Sequence, residues 1–248
     1  MTRGRRLAAA VGLVLLVGGL AWTAFGLPAF GHYHHRYGAV AARESLPLRR
    51  AENAVNTTAF DYRGFDTIGE EFILFVSVVS VVVLLRELGD EADHPPHRER
   101  PGATQQHSTL TRWVGSALMG PLAVIGADVV THGQLSPGGG FQGGIILGVA
   151  VALSFVAGQY LILRRLRAIA TWMDMLDAVG AGGFVMIGIA GLISVGPFLD
   201  NVLPYGHSGL LTGGIIPLAN LSVGIEVAGA VLVVLAELLD QRLLSGPA

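Results

Sequence analysis

The sequence predicts an all-α protein, a polytopic membrane bundle of about six transmembrane helices. Three observations lead there. Of the 248 residues, 52% are hydrophobic and only 14% are charged, whereas a soluble domain carries about 25% charged residues. The mean hydropathy is +0.58, so too little polar surface is left to cover a water-soluble globule. The apolar residues also fall into runs near the ~20 residues that cross a hydrocarbon core about 30 Å thick. The 35 glycines fit the same picture, because small residues let helices approach closely in lipid.

Six segments meet this length criterion. The first, about Leu7 to Leu27, has no charge. Its basic N-terminal flank followed by an apolar run has the look of a signal peptide. The run is longer than an h-region and no clean small-x-small site follows, so an uncleaved helix is expected. The second segment, about Asp66 to Leu85, carries carboxylates in its first turns. The third, about Trp113 to Thr131, contains Asp128. The fourth and fifth run from about Gly143 to Leu163 and from about Ala178 to Leu199. The sixth, about Ile215 to Leu238, contains Glu226.

All 16 basic residues are arginine, and they set the orientation. With the N-terminus inside, eleven lie in cytoplasmic stretches and five in one outer loop. The positive-inside rule then puts both termini in the cytoplasm and the 132–142 and 199–214 loops outside. A multi-pass protein of the cell membrane, in contact with the lipid bilayer, is expected. The stretch from Arg86 to Arg112 is polar, charge-mixed and holds Pro95, Pro96 and Pro101. That composition buries too little apolar surface to fold compactly. It reads as a cytoplasmic linker, over residues 89–112, between a two-helix region (1–88) and a four-helix domain (113–248).

Several functions are disfavoured at this level. A net charge of -2 does not suit a nucleic-acid partner, which wants a basic face. The absence of cysteine removes disulfides, thiolate metal sites and cysteine nucleophiles. No HExxH or GxSxG motif occurs, so an intramembrane enzyme has no visible machinery. No cofactor and no metal centre is expected.

Three segments carry candidate chemistry. In YRGFDTIGEE, Asp66 and Glu70 stand four residues apart and share a helix face. They read either as an acidic helix entrance, with Thr67 helping to cap it, or as carboxylates deep enough to need a partner. Arg63 is the nearest counter-charge, and Glu71 is the alternative deep carboxylate. In GADVVTHGQLSPGGGFQGGIILG, Asp128 and His132 again sit at i and i+4. Histidine is the side chain most often used to pass protons near neutral pH, so His132 is a candidate proton carrier. The run Pro137, Gly138, Gly139, Gly140, Phe141, Gly143 and Gly144 lacks the lysine of a phosphate loop and follows no strand. It is expected to form a tight re-entrant turn packed against protein, since exposed irregular backbone is not tolerated in lipid. In NLSVGIEVAG, Glu226 falls near the middle of the sixth helix, where a charge costs about 2.5–3.5 kcal/mol. It has no obvious counter-charge within the chain, so a functional or inter-subunit role is expected. Asn220 and Ser222 are polar neighbours able to line a hydrated face. Asp174 and Asp177, in WMDMLD, read instead as a solvated cytoplasmic turn at a helix start.

Those residues carry a family resemblance. HGQLSPGGGFQGGIILG, with HSGLLTGGIIPLANLSVGIEVAG downstream, resembles the MnhB domain. That domain is the B-type component of Mrp antiporters and has a counterpart in membrane-bound hydrogenases. The likeness covers about Trp113 to Arg242, and its most specific part is PGGGF-x-GG. Upstream, DYRGFDTIGEEFILF resembles MbhE, a small component of membrane-bound hydrogenases that is found also at the C-terminal end of the large antiporter component. The resemblance implies a natural fusion of two neighbouring subunits inside a hetero-oligomer that exchanges Na+ for H+. The alternative it implies is the same module in an energy-conserving hydrogenase or related oxidoreductase. In that family other subunits hold antiporter-like proton channels with central lysines. This chain has no lysine, so it is not expected to run a channel alone. The ion-path role that the resemblance implies for acidic residues carries over to Asp66, Glu70, Asp128 and Glu226.

Overall fold

The computed structural model describes residues 3–27, 36–85, 109–156 and 170–244. Every regular element among them is helical. Two compact units are present, residues 1–38 and 39–248. The first contains α1 (Arg3–Phe25), whose apolar run from Ala10 to Phe25 matches the first expected span. The 86–108 part of the expected linker lies outside the described residues.

The second unit begins within α2 (Arg36–Arg49) and continues through a one-turn helix α3 (Ala54–Thr57) into a π-helical turn (Thr58–Tyr62). Then come α4 (Gly64–Leu85), α5 (Thr109–Thr131), α6 (Gly140–Val156), α7 (Ala170–Ser194) and α8 (Ile216–Leu244). Helices α4, α5, α7 and α8 are long and apolar enough to cross a membrane, and α6 supplies a shorter apolar helix, Gly140–Leu153. The fourth expected span continues past Val156 into residues outside the description.

Helix α8 is the axis of the unit and packs against α4, α6 and α7, while α5 packs on α6. It is half buried along its span, against 11% for α4. Glycines set the approach distances. On α6, a Cβ at Gly144 would meet Gly224 O of α8 at 2.8 Å, and one at Gly143 would meet Gly126 O of α5 at 2.7 Å. Spaced small residues of this kind let helix backbones touch where no hydrophobic drive joins them. Two apolar clusters fill the seams. One holds Phe60, Phe184, Ile216, Val223 and Val227, and the other holds Val78, Met173, Ala230 and Val233.

Two expectations are corrected here. Helix α7 starts at Ala170, not near Ala178, and takes in Asp174 and Asp177. Asp177 is buried, so it is no solvated turn. A Cβ at Gly229 of α8 would meet Asp177 N at 2.7 Å, and the notch at that glycine lets the acidic turn of α7 seat against α8. Thr67 lies inside α4, not at its cap. Its hydroxyl donates to Ala59 O at 2.6 Å and ties α4 to the π-helical turn.

Candidate functional site

Helix α4 buries one stripe, formed by Gly64, Thr67, Glu71 and Val78. The intervals of three, four and seven keep these residues on one helical face. Glu71 therefore points into the bundle, while its neighbour Glu70 is exposed. On α8 the inward stripe includes Asn220, Val223, Glu226 and Val227. Glu71 is 3% exposed and Glu226 is 0% exposed. Their carboxyl groups sit side by side, near enough to interact directly, with Asp177 of α7 adding a third acidic charge. No regular hydrogen bond is formed by any of the four carboxyl oxygens of the pair, nor by Asp177 Oδ1. Among the described residues no basic side chain forms an ion pair with either glutamate.

The acidic layer lies where the two apolar clusters meet. Leu74, one turn after Glu71, packs against both. On α8 the first cluster ends at Val227 and the second begins at Ala230. On α7, Gly180 faces the backbone of Glu226, since a Cβ there would lie 2.6 Å from Glu226 Cα. The carboxyls are thus held in a narrow polar layer with apolar packing on both sides. Such a layer has two electrostatically sound states. Either a proton is shared between the glutamates, or a cation or water compensates the charge.

Above this layer, the glycine-rich loop is clamped by asparagines. Asn53 donates from Nδ2 to Gly133 O and Ser136 O, both at 2.8 Å, while its Oδ1 accepts from Val55 N and Asn56 N to cap α3. The backbone N–H groups of Glu52 and Asn53 both donate to Gln134 O. From α8, Asn220 Oδ1 accepts from Gly140 N at 2.8 Å. Gly138 and Gly139 have φ of 132° and 146°, a region in which L side chains are strained. A Cβ at Gly139 would meet Asn220 Oδ1 at 2.6 Å. The loop is a packed turn, and the N–H at the start of α6 that an anion would need is already taken by Asn220.

Comparison with known proteins bears on what this arrangement belongs to. Residues 110–233, which are 124 of the 248, match the family model described as a domain related to the MnhB subunit of Na+/H+ antiporters. The chain belongs to the MnhB-related family. Residues 2–100 of this MnhB-related chain match a second family, MbhE, a component of MBH. A relative in Methanocaldococcus jannaschii, described only as an uncharacterized protein, is 30% identical over 192 residues, covering 71% of this chain and 72% of its own length. A probable K(+)/H(+) antiporter protein of the A/B type from Rhizobium meliloti is 26% identical over 154 residues, which are 53% of this chain and 15% of that one. Two solved structures share the fold, each at 24% identity. One is the Mrp complex from a Dietzia species, at a TM-score of 0.64, covering 96% of this chain and 26% of that chain. The other is the membrane-bound sulfane sulfur reductase, an archaeal respiratory membrane complex, at 0.67, covering 94% and 98%. The MnhB-related chain is thus a multi-pass membrane protein, and it spans about a quarter of the Mrp chain it matches.

The residues singled out in the sequence separate into distinct places. Asp66 is exposed and paired with Arg63. Glu70 is exposed on α4. Asp128 and His132 pair with each other at 2.9 Å near the end of α5, with side chains 64% and 37% exposed. Of the five acidic and histidine candidates, Glu226 alone enters the buried layer. Its companions Glu71 and Asp177 were missed as partners. Glu71 comes from the MbhE-matching region and Glu226 from the MnhB-matching region, so the buried pair is assembled across the two. Periodicity of the small and polar residues along α4 was the one sequence signal for Glu71, because its apolar residues occur all round the helix.

Proposed function

We propose that the chain is a membrane subunit of a multi-subunit Mrp-type Na+/H+ antiporter and that Glu71 and Glu226 form its contribution to the ion path. The observation that carries this is the pair itself. Two buried carboxyls meet inside the membrane spans, with no basic partner among the described residues. Glu226 lies ten residues after Ile216, so it is about 15 Å into α8 at 1.5 Å per residue. Carboxyls at that depth are costly unless a proton, a cation or a water path accompanies them. A site able to trade a proton for a cation is what exchange of H+ against Na+ requires.

In this reading residues 1–88 and 113–248 are two subunit-like regions fused through the 89–112 linker. Both termini face the cytoplasm of the cell membrane, and other subunits supply the lysine-bearing channels that this lysine-free chain lacks. Asp66, Glu70, Asp128 and His132 serve the ion path from exposed positions, where hydration or neighbouring subunits reach them. The likeness to the sulfane sulfur reductase, over 98% of its chain, supports a second reading, the same module in an oxidoreductase complex. Redox subunits in the purified assembly distinguish the two.

The test is Glu226→Gln in the assembled complex, reconstituted in vesicles. The amide keeps the shape and most of the hydrogen-bonding capacity, so the complex still forms. Exchange is lost because the amide holds neither an exchangeable proton nor a cation charge. Full Na+/H+ exchange by an intact Glu226→Gln complex removes the pair from the ion path.

A further inference from the structure

Helix α4 has three faces, and only two are accounted for by its own bundle and by lipid. At about 100° per residue, the buried residues Gly64, Thr67, Glu71 and Val78 occupy one arc. Phe65, Phe72, Val76, Val79 and Val83 occupy a second arc, all exposed and all apolar, which is what a lipid-facing surface requires. The third arc, about 120° from each by the same count, carries Asp66, Glu70, Ser77 and Ser80, all exposed. Ile73 and Leu84 complete it.

The serines on this arc need no outside partner. Ser77 donates to Ile73 O at 2.6 Å and Ser80 to Val76 O at 2.7 Å. Asp66 is paired with Arg63. Glu70 is the exception. It lies six residues after Gly64 in a helix long and apolar enough to cross the membrane, about 9 Å along the axis, and among the described residues no ion pair holds it. An exposed carboxylate on a lipid face at that position is strongly disfavoured.

We propose that the polar stripe of α4 is a docking face for a transmembrane helix of another subunit, and that this helix presents a basic side chain to Glu70. The inference rests on the reading of the chain as part of a larger membrane assembly. Charge complementarity selects the partner. A small, partly polar seam through Ser77 and Ser80 allows close helix approach, and the acidic residue fixes register and identity. A second copy of this chain would bring Glu70 against another Asp66–Glu70 surface and repel it.

The test uses the assembled complex in lipid nanodiscs. Benzoylphenylalanine is placed at Ser77 on the stripe and at Phe72 on the apolar face, and each is photo-activated. Ser77 is expected to crosslink to another subunit and Phe72 to lipid. Crosslinking of Ser77 to lipid, or to a second copy of this chain, overturns the proposal. In parallel, Glu70→Lys is compared with Glu70→Gln. Like-charge contact across an interface costs enough that Glu70→Lys should lower the yield of intact complex by about tenfold or more, with Glu70→Gln less affected. A Glu70→Lys complex that assembles at wild-type yield rules out the basic partner. Crosslinking does not depend on transport. A complex that exchanges Na+ for H+ but shows lipid at Ser77 therefore counts against the docking face alone.

Discussion

Glycine at 180 should be indispensable where glycine at 182, two residues away on the same helix, is not. A Cβ added to Gly180 would lie 2.6 Å from Glu226 Cα, whereas one added to Gly182 meets nothing within 4 Å. Carbon atoms rest at about 3.5–4.0 Å, so Gly180→Ala demands that α7 and α8 separate by about 1 Å. The obstructing atoms are the N, Cα and Cβ of Glu226, which no rotamer change moves. Overpacking of this kind costs about 1–3 kcal/mol. Both substitutions gain the same helix propensity, about 0.8–1.0 kcal/mol for alanine over glycine. Their difference therefore isolates the clash and should be about 1–3 kcal/mol in favour of Gly182→Ala. The assay is unfolding of the purified chain in detergent, followed by far-UV circular dichroism and by tryptophan fluorescence with Trp22 and Trp113 replaced by Phe, so that the signal comes from Trp172, two residues into α7. In the assembled complex, Gly180→Ala should also lower exchange, because Asp177 lies on the helix that must move. Equal stability of the two variants would refute the proposed packing of α7 against the Glu226 backbone.

Two further outcomes follow from the same structure. Asn220→Ala removes the acceptor of Gly140 N and leaves that buried N–H unpaired, a loss of about 1–3 kcal/mol. Denaturant titration should show it, and limited proteolysis should cut first in the 133–139 loop. Asp61 is paired with Arg49 at 2.6 Å, yet burial, outweighing Arg49 and helped by Asp200, raises its pKa above 3.8. The folded state therefore binds its proton more tightly than the unfolded state does. Stability should fall as pH rises from about 3.8 through the raised value and then level off. Asp61→Asn should flatten that slope in melting curves recorded across the acidic range, and an unchanged slope assigns it to another group.

Much of the bundle was legible because lipid imposes one simple rule, about 20 apolar residues per crossing. Helices α4, α5 and α8 begin within a few residues of the expected spans, since their apolar runs are uninterrupted. The start of α7 was hidden because Asp174 and Asp177 look solvated in isolation. Only the Gly229 notch on α8, more than fifty residues away, makes room for an acidic turn inside the bundle. Segment 39–62 left no periodic signal. Its α3 is fixed by bonds from Asn53 and Asn56 to the 133–138 loop, a contact between regions far apart in sequence. The pairs Asp66 and Glu70, and Asp128 and His132, drew notice through their i, i+4 spacing. That spacing places both members on one face without telling which face is buried. For α4 the answer was the opposite one, and Glu71 rather than Glu70 meets Glu226.

The position of that pair gives a reason for the chain to join its two regions. Glu71 and Glu226 belong to segments matching different families, and each alone would leave an uncompensated carboxyl in an apolar seam. Brought together, they can share one proton, which neither could do alone. The contact also needs α4 to approach α8 at a fixed angle. The start of α4 is held by Gly64 against Leu199, whose Cδ1 would lie 3.1 Å from an added Cβ, and by Thr67 bonded to Ala59 O. Separate subunits would have to rebuild this register at every assembly event, with loss of translational freedom each time. A covalent link makes the encounter intramolecular and raises the effective concentration of one region at the other. On the proposed reading, carrying both regions in one chain therefore favours the Glu71–Glu226 contact on which the proposed exchange depends.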